Sequence, residues 1–232
     1  MTPLDRPIWA SLATCHVGLS VGGALARRYA PDVNLFASAC DDSEAAQTAL
    51  AALVQPGEQV FVLQVPEIIV PAGLEFIKAA SGVQMVATRS LRAGDRDEDI
   101  VTLRDADASE MLALATLTEP GPFLTRTHAM GTFLGIRVKG RLAAMAGERF
   151  RFPGHTEVSG VCTHPDFRGR GLARRLSAAV TASIEARGER PFLHAWKTNV
   201  AAISLYESLG FEMRAEVNVA VLKRDSLTSA IP

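Results

Sequence analysis

Residues 161 to 176 read Val161-Cys-Thr-His-Pro-Asp-Phe-Arg-Gly-Arg-Gly-Leu-Ala-Arg-Arg-Leu176. The alternation before Pro165 is typical of a strand, and the leucine spacing after Gly171 predicts a helix. The two glycines between these elements let the backbone approach a ligand closely. Such a turn directs several free N–H groups to one place beside the positive end of a helix dipole. We therefore predict that a phosphate group binds here.

Two common phosphate motifs do not fit this turn. Gly169-Arg-Gly171 is followed by Leu-Ala-Arg, so the third glycine of GxGxxG is missing, and no Gly-Lys-Ser/Thr follows as the Walker motif requires. The pattern Arg168-x-x-Gly171-x-Ala173 resembles instead the pyrophosphate loop of the GNAT superfamily of N-acetyltransferases, which bind acetyl-CoA.

A second stretch resembles another motif of the same superfamily. Residues 199 to 211 read Asn199-Val-Ala-Ala-Ile-Ser-Leu-Tyr-Glu-Ser-Leu-Gly-Phe211, which fits the pattern Asn-x-x-Ala-x-x-Leu-Tyr-x-x-x-Gly-Phe. Asn199 can cap a helix, and Gly210 can adopt the left-handed conformation that ends one. Because both motifs occur in the family's order, we expect the GNAT fold, an α/β fold with a mixed sheet, in the C-terminal half.

The composition is that of an ordinary globular protein. The chain has 232 residues, a net charge of −1 and 48% hydrophobic residues, so nothing favours binding to nucleic acid. No apolar run approaches the ~20 residues of a membrane span, and the N-terminus does not resemble a signal peptide. Cys15, Cys40 and Cys162 form no metal-binding pattern, so we expect reduced thiols, a cytoplasmic location and no metal site. The oligomeric state stays open.

The polar run from Arg89 to Asp99 has the composition of a linker, which predicts an N-terminal domain over residues 1–92 and a GNAT domain over residues 98–224. The N-terminal part has no phosphate loop. It is either a degenerate copy of the GNAT fold, as in two-domain relatives of the glycine N-acyltransferase type, or an unrelated smaller α/β domain. Its predicted elements are helices over 7–13 and 44–54, the second capped by Asp42 or Ser43, and strands over 60–65 and 83–88.

The sequence of residues 98–224 predicts a strand, a helix and three further strands before the phosphate loop. A capping box of Asp107 and Glu110 opens the helix, which ends at Pro120, and Lys139-Gly140 forms a hairpin turn. The predicted strands cover 100–104, 132–138, 142–146 and 156–163, and a weaker second helix covers 124–130.

The resemblance implies a set of cofactor-binding residues. Backbone N–H groups of the loop would hold the pyrophosphate, the main chain of the preceding strand would pair with the pantetheine arm, and the second motif would contact the cofactor. These residues are Arg168, Gly169, Arg170, Gly171, Leu172 and Ala173; Val161, Cys162 and Thr163; and Asn199 and Tyr206. Arg174 or Arg175 either reaches an outlying phosphate or lies on a solvated helix face.

The resemblance also implies the catalytic residues. Glu157, placed by strand alternation on the face of Val161 and Thr163, would be the general base, directly or through water. His155 and His194 are alternative bases, and an exposed strand residue is the alternative for Glu157. Tyr206 would be the acid that protonates the departing thiolate. Trp196 either lines the substrate pocket or is a core aromatic residue.

These expectations describe an acetyl-CoA-dependent N-acetyltransferase that acts by direct transfer to a primary amine, either a small molecule or a protein amine. The sequence leaves the acceptor open. The alternatives are an acyl-CoA-binding sensor without turnover and acyl transfer to another acceptor, such as a hydroxyl.

Overall fold

The computed structural model of the protein describes residues 2–89 and 97–226. Within these ranges the α-helices are α1 Pro7–Leu12, α2 Glu44–Ala52, α3 Ala108–Thr118, α4 Leu172–Ala186 and α5 Val200–Ser208. The strands are β1 Ser20–Gly22, β2 Ala26–Tyr29, β3 Ala37–Ala39, β4 Gln59–Gln64, β5 Glu75–Ala87, β6 Ile100–Leu103, β7 Phe133–Val138, β8 Arg141–Phe152, β9 His155–Thr163, β10 Arg190–Trp196 and β11 Phe211–Lys223.

Eight of these strands form one mixed sheet, in the order β4-β11-β5-β10-β9-β8-β7-β6. Only the β9–β10 pair is parallel in this sheet, and β1, β2 and β3 form a small antiparallel sheet. The mixed α/β fold predicted from the two motifs is therefore confirmed.

The large sheet takes strands from both sides of the predicted domain boundary. β5 lies before residue 92, yet it pairs with β10 on one edge and with β11 on the other. β4 extends the sheet beyond β11. The division at residues 92–98 thus falls between strands of one sheet. Most of the predicted linker lies outside the described residues, and the two-domain division itself stays a prediction.

Helices cover both faces of the large sheet. The side of α4 that carries Leu176, Val180 and Ile184 packs on one face, in the same core cluster as Val158. On the opposite face Ile8 and Leu12 of α1 pack with buried aromatic residues. Full burial of each such side chain stabilises the fold by about 1.5–3 kcal/mol. These two layers hold the central strands rigidly.

Two strands are longer than predicted and one predicted helix is absent. β5 begins at Glu75 rather than at Val83, in a segment whose side chains are mostly exposed and give no strand-like burial pattern. β8 continues past Ala146 to Phe152, through a charged segment that resembles a loop. The second helix over 124–130 is only a 3-10 turn, Thr127–Met130.

The predicted capping box at the start of α3 is wrong, although the helix itself forms. The Asp107 carboxylate accepts a hydrogen bond from the backbone N–H of Arg104 at 2.8 Å, so it caps the preceding 3-10 turn. Glu110 pairs with Arg137 at 2.6 Å instead of turning back to the helix start. Arg137 also binds Asp107, and its positive charge draws both carboxylates away from the predicted cap.

Candidate active site

β9 and β10 separate in the middle of the large sheet. Their ladder ends at the pair Phe192 and Glu157. Beyond it, β10 continues to Trp196 paired only with β5, while β9 stays paired with β8 up to Thr163. The edge of β9 from Val158 to Thr163 that faces β10 therefore has free main-chain groups.

A cavity of about 880 Å³ occupies this opening. It is lined by residues 158–163 of β9, by residues 167–174 and by Asn199 and Tyr206, and it extends across the sheet to residues of β11 and β4. All the residues predicted to bind the cofactor line this one cavity. The structure therefore brings both sequence motifs together.

A bulge at Gly160 changes which side chains of β9 share a face. Ser159 and Cys162 lie opposite Gly147 and Met145, so β9 has one more residue than β8 between these pairs. Gly160 adopts a φ of 62°, in the region that favours glycine. Glu157 consequently shares its face with Ser159 and Cys162, and the predicted common face with Val161 and Thr163 is wrong.

The glycine-rich turn has the conformation expected of an anion site. Gly169 and Gly171 have φ values of 76° and 71°, and Gly171 is the N-cap of α4. Within the described residues, the N–H groups of 169–174 donate to no backbone or side-chain acceptor, and α4's first bond joins Arg175 N–H to Gly171 O. These free donors lie at the positive end of the helix dipole.

The arginines around this turn differ in availability. Arg175 binds Asp97 at 2.6 Å and Asp99 at 2.7 Å, so it is engaged on the helix surface and not directed to a ligand. Arg168, Arg170 and Arg174 line the cavity. They provide the positive charge that a pyrophosphate group requires.

The second motif contributes a cap and a hydroxyl. The Asn199 side chain accepts a hydrogen bond from Ala202 N–H at 3.1 Å and also lines the cavity, so the capping role and the predicted contact with the cofactor are compatible. The Tyr206 hydroxyl bonds to no group in the described part of the chain. Burial and the negative charge of Glu157 raise the pKa of Tyr206 to about 12.

Glu157 is fully buried and does not line the cavity. Its carboxylate accepts hydrogen bonds from Nε and Nη2 of Arg149 at 2.8 and 2.7 Å, from His194 Nδ1 at 2.7 Å and from Phe150 N–H at 3.3 Å. Burial raises the pKa of Glu157, but the positive charge of Arg149 and the hydrogen bonds from Arg149 and His194 outweigh this effect and bring the pKa down to about 2. A carboxylate with four donors and this pKa is poorly suited to abstract a proton directly.

His194 lines the cavity with a fixed ring. Gln84 donates from Nε2 both to Leu4 O at 2.8 Å and to His194 Nε2 at 3.0 Å, while its Oε1 accepts from Arg214 at 2.8 Å. These contacts fix the Gln84 amide orientation, so His194 accepts at Nε2 and donates from Nδ1 to Glu157. Neither ring nitrogen has a lone pair directed into the cavity.

Arg149 is a site residue that the sequence reasoning missed. It lines the cavity, binds Glu157 through two N–H groups and stacks on Phe36 and Phe150 at 4.9 and 4.5 Å from the ring centroids. The signal was the alternation of Arg149 and Arg151 with two buried phenylalanines, which extends β8. That extension places Arg149 across the hairpin from Glu157.

The other candidate site residues differ in whether they line the cavity and suit a catalytic role. Trp196 is 44% exposed and lines the cavity, so it is not a core residue. His155 stacks on Phe152 and does not line the cavity. Burial raises the pKa of Cys162 to about 11, which does not suit a nucleophilic thiolate.

No helix of the described residues is long and apolar enough to cross a membrane.

Comparison with known proteins places this geometry in a family. Residues 133–220 match the model of the family described as FR47-like protein. A crystal structure from Novosphingobium aromaticivorans, assigned to the GNAT family of acetyltransferases, is 43% identical, with 97% of this chain and 100% of that chain covered and a TM-score of 0.91. A search of curated proteins finds no match.

More distant structures share the fold alone. A GCN5-related N-acetyltransferase from Kribbella flavida is 20% identical with a TM-score of 0.64, covering 96% of this chain and 95% of that chain. A GCN5-related N-acetyltransferase-like protein from Streptococcus suis is 15% identical with a TM-score of 0.57, covering 95% of each chain. The 43% identity over nearly the whole chain shows that the protein belongs to the GNAT family of acetyltransferases.

Proposed function

We propose that the protein transfers an acetyl group from acetyl-CoA to a primary amine by direct attack, without an acyl-enzyme intermediate. One observation carries the proposal: a single cavity is lined by the free N–H groups of residues 169–174, the unpaired edge of β9 and the Tyr206 hydroxyl. A pyrophosphate, an extended amide arm and a departing thiolate need these three features in this combination.

Three segments of the chain bind different parts of acetyl-CoA. Backbone N–H groups between Arg168 and Ala173 hold the pyrophosphate, with Arg168, Arg170 and Arg174 supplying charge. The free edge of Val161 to Thr163 pairs with the amide groups of the pantetheine arm, as an added strand would. Asn199 contacts the same arm while it caps α5.

The chemistry needs one attack and three proton movements. The amine nitrogen forms a bond to the thioester carbon, the carbon–sulfur bond breaks, and the sulfur takes a proton from the Tyr206 hydroxyl. With a pKa of about 12, Tyr206 is protonated at neutral pH and can donate. The ammonium proton is lost first, so that the nitrogen lone pair is available. After the attack the nitrogen loses a second proton, which passes through water and restores the Tyr206 hydroxyl.

Glu157 acts in this proposal as a positioning residue. It fixes Arg149 and His194, which line the cavity, and its own oxygens are fully occupied. The ammonium proton therefore passes to water. This replaces the direct base role that the family resemblance implies for Glu157.

A non-catalytic sensor needs only the cofactor-binding features. The tyrosine hydroxyl that faces the cavity without a protein partner within the described ranges is more than a sensor requires, and it supports turnover. The narrower resemblance to glycine N-acyltransferases and the cytoplasmic location stay predictions.

Thiol release from acetyl-CoA, measured over a broad panel of amines and followed by mass spectrometry of the products, tests the proposal. We expect release that depends on the amine, with one acetyl group added to it. Release at the same rate without any amine, or no release with any amine, would contradict the proposed function.

A further inference from the structure

We infer that the acceptor amine also carries a carboxylate, which Arg149 binds, and an apolar group that packs against Phe36, Phe61 and Leu63. The acceptor class is thus an amino acid with an apolar side chain, or a close analogue. This inference rests on the proposed function, because it names the substrate of the same site.

Arg149 has hydrogen-bond donors that Glu157 does not use. A guanidinium has five N–H donors, and Glu157 accepts from only one at Nε and one at Nη2. The two donors of Nη1 and the second donor of Nη2 bond to no group in the described part of the chain. The side chain is 13% exposed and lines the cavity. Arg149 therefore reaches the cavity with three N–H donors that have no acceptor among the described residues.

The geometry of that edge suits a carboxylate. Nη1 and Nη2 present two parallel N–H groups, which match the two oxygens of a carboxylate in a bidentate pair. Gly121 lies beside Nη1 and has no side chain there, and an added Cβ would lie 3.9 Å from this nitrogen. A backbone or amide carbonyl would use only one of the two donors.

The guanidinium is also held in place before any ligand arrives. Glu157 fixes one edge, and Phe36 and Phe150 lie against the group at 4.9 and 4.5 Å from their centroids. A donor that is already ordered loses little conformational entropy on binding, which favours affinity. Arg149 is thus arranged as a binding group, beyond its role as a counter-ion for Glu157.

The apolar wall lies on the β4 and β11 side of the cavity. Phe36, Phe61, Leu63, Val217 and Val219 line it there, on the side away from the phosphate loop. Phe61 is partly exposed, while the other four side chains are no more than 5% exposed, so the uncovered apolar surface belongs mainly to Phe61 and a glycine acceptor would not cover it. An aromatic or branched aliphatic side chain would bury it and gain the corresponding hydrophobic free energy.

The charge of the lining argues against a polycationic acceptor. Four arginines, Arg149, Arg168, Arg170 and Arg174, line the cavity, and Glu119 is the acidic residue among the lining side chains. Arg168, Arg170 and Arg174 face the pyrophosphate in the proposed function, so a polyamine on the acceptor side would meet Arg149, whereas an amino acid brings a negative group to it. A polyamine acceptor that uses Glu119 is the competing outcome of the test.

The test compares amines that differ in one group. L-Phenylalanine carries both features, L-phenylalaninamide and phenethylamine lack the carboxylate, glycine lacks the apolar group, and spermidine is the polycation. We expect kcat/KM for phenylalanine to exceed that for its amide and for phenethylamine by about tenfold to a hundredfold, as hydrogen bonds to a charged group are worth. Phenylalaninamide is the more demanding comparison, because a larger fraction of its amine is unprotonated at neutral pH, which by itself would favour the amide.

Arg149→Lys links the preference to this residue. Lysine keeps the positive charge beside Glu157 but lacks the paired N–H edge, so the ratio of kcat/KM for phenylalanine to that for phenethylamine should fall towards one. Arg126→Lys is the matched control, because Arg126 forms an exposed ion pair with Asp32 and does not line the cavity. Thermal unfolding checks that both variants fold.

The outcomes separate the two proposals. Equal or faster turnover of amines without a carboxylate, including spermidine, would overturn the inference and leave the proposed function intact. A preference for phenylalanine that survives in folded Arg149→Lys would also overturn it. No thiol release with any amine would overturn the proposed function, and the inference with it. If Arg149→Lys does not fold, the ratios of kcat/KM that wild type shows between phenylalanine and the amines without a carboxylate still decide whether the inference holds.

Discussion

At the scale of single residues, the buried polar contacts beneath the cavity distinguish positioning from catalysis. Glu157 connects to Arg149 and His194, and His194 connects through Gln84 to Arg214. Each connection uses a lone pair or an N–H that proton transfer would need. A saturated buried group of this kind stabilises geometry, and breaking it is costly because the partner charge is left unpaired.

Glu157→Gln should lower activity by a factor that does not change between about pH 7 and about pH 9. The substitution leaves Arg149 without its counter-ion and loosens the cavity wall, and neither effect depends on the ionisation of the amine. A direct base would instead give a roughly 10²–10⁴-fold loss at neutral pH that shrinks as the amine deprotonates. Rate profiles of both proteins over this range separate the two roles, and a shrinking loss would restore Glu157 as the base.

The same variant gives a prediction for stability against pH. The pKa of Glu157 is lowered from 4.5 to about 2 in the folded protein, so the carboxylate stabilises the fold above about pH 4.5, and this contribution is lost as the pH falls towards 2. Unfolding should therefore show wild type more stable than Glu157→Gln at neutral pH, by an amount on the order of 3 kcal/mol, and the difference should narrow in acid. A constant difference would contradict the ion-pair account.

Tyr206→Phe should keep acetyl-CoA affinity and lower the chemical step. The ring still packs beside Phe211, so binding is retained, while the proton for the thiolate is lost. Because burial and the charge of Glu157 raise the pKa of Tyr206 to about 12, wild-type activity should not fall through loss of this proton below that pH. Single-turnover rates with calorimetric affinities measure both effects. Equal single-turnover rates for the two proteins would remove the acid role.

At the scale of elements, the bulge in β9 sets the direction of the strand edge. Gly160→Ala would place a methyl group 3.0 Å from the Phe133 ring at a φ of +62°, so the ring or the bulge must move, and the strained φ favours a shift of the bulge. We expect weaker acetyl-CoA binding and slower turnover, because the shifted edge no longer presents the main chain of Val161 to Thr163.

Gly154→Ala is the matched control for this change. Gly154 has a φ of +79°, in the turn before β9, and no atom lies within 4 Å of the added methyl group. It should cost stability of about 1–2 kcal/mol for the left-handed backbone and leave acetyl-CoA affinity unchanged. If both alanine variants lower the affinity equally, the bulge has no special role.

Local signals predicted much of these elements and failed where tertiary contacts decide. The glycine turn, the Asn199 cap and the Gly210 helix end were readable because each depends on the conformational preference of one or two residues. The bulge at Gly160 could not be predicted, since a glycine in a strand pattern does not show where the register with the partner strand shifts. That single residue reversed the face expected for Glu157.

At the scale of the whole molecule, the sheet joins segments that are far apart in sequence. β5 lies between β10 and β11, and the acceptor side of the cavity takes Phe36, Phe61 and Leu63 from the N-terminal part of the chain. Neither contact leaves a periodic or compositional trace, so the sequence predicted the cofactor side of the site and not the acceptor side. Arg149 was missed for a different reason: the alternation around it was interpreted as a loop, so the extension of β8 that brings Arg149 to Glu157 was not predicted.

We expect the turn from Arg168 to Ala173 to bind the pyrophosphate of acetyl-CoA, and a calorimetric titration of Gly171→Glu measures this binding. Gly188→Glu is the control: both glycines have left-handed φ values, 71° and 75°, and open space at the Cβ position, but Gly188 lies beyond the far end of α4. The account predicts that wild type and Gly188→Glu bind acetyl-CoA alike, while folded Gly171→Glu shows no measurable binding, since its carboxylate repels the phosphates. Unchanged acetyl-CoA affinity in folded Gly171→Glu would contradict it.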